Sequence, residues 1–133
     1  MPAYGDVAPA LRALAACGVP LAVLTNGTPI SADAALEHAG VRALLADVLS
    51  VDAVQAYKPD PRVYALATER FGCAPNDVVF VSSNGWDAWG AARFGFRVAW
   101  CNRHRNAPET MQPLPETTLA GLHELEDFVV RSA

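Results

Sequence analysis

Apolar residues at Val7, Leu11 and Leu14 recur at helical spacing and predict a helix over 6–17, stopped by Gly18. The uninterrupted run at 20–25, ending Val23-Leu24-Thr25, predicts a short strand covered on both faces. Asn26-Gly27 breaks it; Thr28 reads as an N-cap and Pro29 as the first residue of a helix running to Gly40. Residues 41–46 fit one more helical turn, and 48–51 a second strand. The stretch 52–61 is irregular, because Pro59 pushes Lys58 out of helical geometry and onto a loop. Asp60 caps and Pro61 opens a helix through Phe71, ended by Gly72. A third strand is expected at 78–81, a helix at 86–94 before Gly95, and a fourth strand at 97–101. Residues 102–117 hold three prolines and no periodicity, so a loop is expected there, followed by a last helix over 121–130.

Strand–helix alternation with apolar strands predicts an α/β fold with a parallel sheet, in a single domain over 1–133 without repeats or linkers. Open parallel sheets bind ligands at the carboxyl ends of their strands. Three polar segments fall at that edge: Thr25-Asn26-Gly27, Lys58 on its loop, and Ser82-Ser83-Asn84-Gly85-Trp86-Asp87.

Composition narrows the chemistry. The 133 residues are 52% hydrophobic and 18% charged, which argues for a packed core rather than disorder. A net charge of -4 argues against nucleic acid or an anionic membrane surface as partner. No apolar run is long enough to span a bilayer, and 1–6 lack the features of a signal peptide. Cys17, Cys73 and Cys101 are widely spaced with no C-x-x-C, so neither a disulfide framework nor a zinc site is expected, and a cytoplasmic location fits. His38 and His123 are read as helix residues at or near the surface, and His104 as part of a solvated loop. Lys58 is the single lysine among ten basic residues. A compact ammonium on a flexible stem suits a reach toward a carboxylate.

Each loop also has an ordinary reading. Thr25-Asn26-Gly27 before a helix N-terminus is a small-anion site or simply a turn. Asp87 in a first helical turn is favoured by the helix dipole alone. Lys58 could be a solvated surface lysine. Convergence of all three on one edge favours a site.

The strings Leu-Thr-Asn-Gly at 24–27, Tyr-Lys-Pro-Asp-Pro-Arg-Val-Tyr at 57–64 and Phe-Val-Ser-Ser-Asn-Gly-Trp-Asp-Ala-Trp-Gly-Ala at 80–91 resemble the second, third and fourth motifs of the haloacid dehalogenase superfamily. The closest pattern is that of its type II L-2-haloacid dehalogenases, and the likeness begins near residue 6. It implies a three-layer Rossmann-like core with a parallel sheet. It also implies an aspartate nucleophile that displaces halide from C2 of a short L-2-haloacid, with water then hydrolysing the aspartyl ester. By motif position, Thr25 would bind the substrate carboxylate and Asn26 the departing halide. Lys58 would keep the nucleophile ionised, and Tyr64 and Trp86 would line the site. Ser82, Asn84 and Asp87 would position Lys58 and the water, with Asp87 as base. No cofactor is expected, and no metal: a lone carboxylate in the fourth motif is a poor octahedral Mg²⁺ site.

The first motif of that family, a central strand ending in the nucleophilic aspartate, has no counterpart in 1–133. The expected fold is therefore an incomplete core, with the missing strand's place between the strands at 20–25 and 78–81. Either the two halves close up, or a complementing N-terminal segment or second chain fills the gap, and 1–133 alone should not turn over a 2-haloacid. A superfamily phosphatase and a non-catalytic α/β domain that binds a partner or forms a homodimer remain the alternatives.

Overall fold

The computed structural model describes residues 4–108 and 110–132; the signal-peptide reading rests partly on 1–3, which lie outside them. The elements run α1 (Val7–Ala16), β1 (Ala22–Thr25), α2 (Pro29–His38), β2 (Asp47–Ser50), α3 (Pro61–Phe71), β3 (Val79–Ser82), α4 (Gly85–Phe94), β4 (Arg97–Cys101), β5 (Thr117–Leu119) and α5 (Leu125–Ser132). Short 3₁₀ turns fall at Arg42–Leu44, Val51–Ala53, Pro75–Asp77 and Leu122–Glu124. Among the described residues no helix is long and apolar enough to cross a membrane.

Local chemistry sets the helix ends. The Thr28 hydroxyl accepts from the Ser31 amide at the start of α2, and the Asp60 carboxylate accepts from the Arg62 amide at the start of α3, each followed by proline at the first helical position. Gly72 closes α3 in the left-handed region at φ 61°, where a side chain would be strained. Lys58 sits in a turn, as its proline neighbour requires.

All strand pairs are parallel, but they form two sheets. β1 pairs with β2, from Ala22 opposite Asp47 to Thr25 opposite Ser50. β4 pairs with β3 on one side and β5 on the other. Among the described residues no ladder joins β1 to β3, so the halves do not close up by direct pairing. The break shows in burial. β4 is buried from Val98 to Cys101, whereas every residue of β3 and all but exposed Ala22 of β1 are only half-buried, short of the full cover their apolar character predicted.

Alternation along β4 divides the core. Val98 and Trp100 face a cluster with Tyr64, Ala88, Ala91 and Phe96, from α3, α4 and the residue just before β4. Ala99 faces the opposite cluster with Leu14, Leu119 and Leu125, so that α1 and α5 form the other layer. Leu24 of β1 and Phe80 of β3 both pack against the Tyr64 cluster, which makes α3 a bracket across the break.

Two expectations need correction. β5 takes the last residue of the loop expected over 102–117 and two positions beyond it that were assigned to no element; it is only three residues long, too short to show a period, and exists because Ala99–Cys101 offers a ladder. The last helix begins later than expected: a 3₁₀ turn carries the exposed His123, and the α-helix starts at Leu125. His104 is exposed as read, but its Nε2 lies 3.1 Å from the Tyr4 hydroxyl.

Candidate active site

The site is assembled at the carboxyl ends of β1 and β3. β1 delivers Thr25, whose Oγ1 accepts the Gly27 amide at 2.9 Å, an interaction that shapes the turn into α2. Ser50, at the end of β2, is buried and donates to the Gly27 carbonyl at 2.7 Å while accepting the Asp52 amide. The Asn26 side-chain oxygen accepts the backbone amide of Lys58 at 2.9 Å, tying the Lys58 loop to the end of β1. An asparagine with its oxygen so committed presents its Nδ2 donors elsewhere.

Lys58 then reaches across the break. Its Nζ lies 3.1 Å from Asp87 Oδ2, in the first turn of α4, with the two side chains only 10% and 5% exposed. The same ammonium stands 5.3 Å from the ring centroid of Phe80, a cation–π contact in a dry setting. The other oxygen of Asp87 accepts the Tyr64 hydroxyl at 2.7 Å, and that hydroxyl also lies 3.2 Å from the Asp87 carbonyl. Tyr64 is completely buried. Burial, and then the hydrogen bond and negative charge of Asp87, push its phenol far above the usual tyrosine range. Asp87 is thus a buried carboxylate held by an ammonium and a neutral phenol at a helix N-terminus, an arrangement that compensates its charge.

The remaining expected residues take different places. Ser82 Oγ accepts the Asn84 amide at 3.2 Å, so these two shape the turn into α4, and the Lys58 ammonium donates instead to Asp87. Trp86 is 41% exposed at the edge of the site rather than in the core. The structure therefore brings together Asn26, Lys58, Tyr64 and Asp87, with Thr25 and Ser82 at the ends of β1 and β3, Asn84 at the N-cap of α4 and Trp86 in its first helical turn.

Three contributors went unread in the sequence. Ser50 looks like any strand-end serine, and Phe80 like a core residue. Gly90 looks like an ordinary helix-interior glycine, but it lies against Pro59 and Tyr64. Only the tertiary fold brings these three to the site.

The profile of the haloacid dehalogenase-like hydrolases matches residues 1–95. The chain belongs to that family. Over 130 residues it is 43% identical to an (S)-2-haloacid dehalogenase of Pseudomonas sp. (strain YL), a match that covers 98% of this chain and 56% of the relative. The fold superposes with a TM-score of 0.93 on a crystal structure of an L-2-haloacid dehalogenase, at 42% identity, covering 97% of this chain and 57% of that one. It superposes equally well, at 0.93 and 32% identity, on the L-2-haloacid dehalogenase from Xanthobacter autotrophicus, covering 99% of this chain and 62% of the other. The chain thus spans little more than half the length of the relatives it matches.

Proposed function

We propose that residues 1–133 form, as one unit, the supporting half of a 2-haloacid dehalogenase site. The nucleophilic aspartate would come from outside these residues. The observation that carries this reading is the Lys58–Asp87–Tyr64 cluster. Its ammonium is buried at the carboxyl ends of two strands, β1 and β3, that no ladder joins among the described residues. A strand added in the break would bring its last residue to that ammonium. A carboxylate there would be kept ionised by Lys58. It would attack C2 of the haloacid from the side opposite the halide, so that the C–O bond forms as the carbon–halogen bond breaks and the carbon inverts. Asn26 Nδ2 would face the departing halide, and Thr25 with the adjoining amides the substrate carboxylate. Water would then attack the ester carbonyl, Asp87 taking its proton, to release the 2-hydroxyacid and the aspartate. Ser82 and Asn84 hold the turn that presents Asp87, and Trp86 borders the pocket.

A divalent cation does not fit these residues. The Asp87 oxygens are engaged by Lys58 and Tyr64, and an ammonium stands where a cation would sit. Metal-independent dehalogenase chemistry therefore suits these residues better than that of a Mg²⁺-dependent phosphatase. The substrate is then a small 2-haloacid, and the occupant of the break a complementing segment rather than a homodimer. A cytoplasmic location belongs to the same reading.

The test co-expresses this chain with the part of the Pseudomonas relative that it does not match and measures chloride release from each enantiomer of 2-chloropropionate. Release from the (S) enantiomer only when both parts are present, lost in Lys58→Ala, is the expected result. Release by 1–133 alone, or Mg²⁺-dependent hydrolysis of a phosphomonoester in its place, overturns the reading.

A further inference from the structure

We propose that Gly90 is a positioning residue of the site: its missing side chain is the notch in α4 through which both partners of Asp87 reach that carboxylate. Gly90 is buried and lies three residues after Asp87, hence on the same helix face. A β-carbon built there would stand 2.6 Å from Pro59 Cβ, 2.7 Å from the Tyr64 hydroxyl oxygen and 3.2 Å from Tyr64 Cε2. Carbon atoms in ordinary contact are about 3.5–4.0 Å apart, so the first two approaches require displacement. The groups in the way are particular ones. Tyr64 donates to Asp87 Oδ1, and Pro59 adjoins Lys58, which binds Asp87 Oδ2.

The surrounding sequence sharpens the point. Glycine is among the least favourable residues in a helix interior, and alanine the most favourable. The chain places alanine at 88, 91 and 92 of the same helix, and Ala88 and Ala91 are fully packed at 1% and 0% exposure. Alanine is thus accommodated on either side of position 90 and excluded at it by the Lys58 loop and the Tyr64 ring. An alanine there forces one or both of Asp87's partners outward while leaving the β3–β4 ladder untouched.

The single lysine makes this measurable without turnover, so the result stands apart from the outcome of the chloride-release experiment, although the importance of the pair to catalysis rests on the proposed function. In the full chain labelled with ¹⁵N-lysine and ¹⁵N-tryptophan, the one side-chain ammonium signal is that of Lys58 and the indole signals are those of the tryptophans. A buried, ion-paired ammonium exchanges slowly enough with water to be seen, and a released one does not. In Gly90→Ala the Lys58 signal is expected to vanish, while the Trp100 indole signal, whose N–H is held by the Ser83 carbonyl, stays in place. An unchanged Lys58 signal overturns the proposal. A second readout is the shift in urea midpoint caused by Gly90→Ala, measured in the wild type and in Lys58→Met, with trimethylamine N-oxide added so that all variants start folded. A shift at least halved in the Lys58→Met background supports positioning through the pair. An equal shift in both backgrounds, or failure of Gly90→Ala to fold in both, assigns Gly90 to plain packing and overturns it.

Discussion

Lys58 and Asp87 meet at 3.1 Å across a break in the sheet: the first stands on the loop that follows β2, the second on the helix that follows β3. With both side chains almost completely buried, each charge depends on the other. Removing one partner of such a pair strands the remaining charge, at a cost of about 3–5 kcal/mol. Lys58→Ala and Asp87→Ala are each expected to lower the unfolding free energy by about that amount in urea. Lys58→Met combined with Asp87→Leu should cost less than either single change, because neither charge is then buried alone.

Tyr64 stabilises the cluster as a neutral donor. Its folded-state pKa lies above the unfolded value of about 10. Its contribution is therefore fully present below pH 10 and is lost as the pH rises through the folded value, by about 1.4 kcal/mol per unit for this one group. Urea unfolding of Tyr64→Phe should accordingly be less sensitive to pH above 10 than that of the wild type. While both remain folded, their ultraviolet phenolate titrations should superimpose, because Tyr64 stays protonated.

Asp6 staples the two ends of the described chain. It pairs with both terminal nitrogens of Arg103, at 2.5 and 2.8 Å, and accepts the Leu122 amide at 2.9 Å. The hydrogen bond from Arg103 leads the effects that hold its carboxyl below the ordinary 3.8. That stabilisation is present above the unfolded value and is lost as the pH falls through the folded one. Asp6→Ala should cost about 1–3 kcal/mol at neutral pH. It should also abolish protection of the Leu122 amide in hydrogen exchange and flatten the acid limb of the stability curve.

Ser50 has a narrower task. Ser50→Ala leaves the Gly27 carbonyl without its 2.7 Å donor, at an expected cost of about 1–3 kcal/mol. The amide signals of Asn26 and Gly27 should move in a backbone NMR spectrum, with those of β4 unchanged.

Features encoded by neighbouring residues were legible in the sequence. Asp60-Pro61 at one end and Gly72 at the other give α3 the bounds expected of it, because capping is decided within a few positions. β1, β2 and β3 are each offset by one or two residues, as polar strand ends such as Asp47 and Ser82 carry no apolar signal. β5 was illegible because three residues hold no period and their conformation depends on β4. The site divides the same way. The convergence of Asn26, Lys58, Tyr64 and Asp87 follows from strand order and motif spacing. The support from Ser50 and the clearance at Gly90 depend on contacts across 23 to 31 positions of chain, to which local patterning is blind.

The division into two ladders also bears on how the molecule opens. Backbone hydrogen bonds couple β3, β4 and β5 into one cooperative unit and β1 with β2 into another, and among the described residues no strand ladder connects the two. Among the described residues, side chains tie the two together: Tyr64 and Leu24 in a shared cluster, and the Asn26, Lys58 and Asp87 tethers. Native-state exchange should therefore resolve two foldons, with the β1–β2 amides opening at lower free energy than those of β4. The residues that would hold the chemistry are also the hinge pins between them.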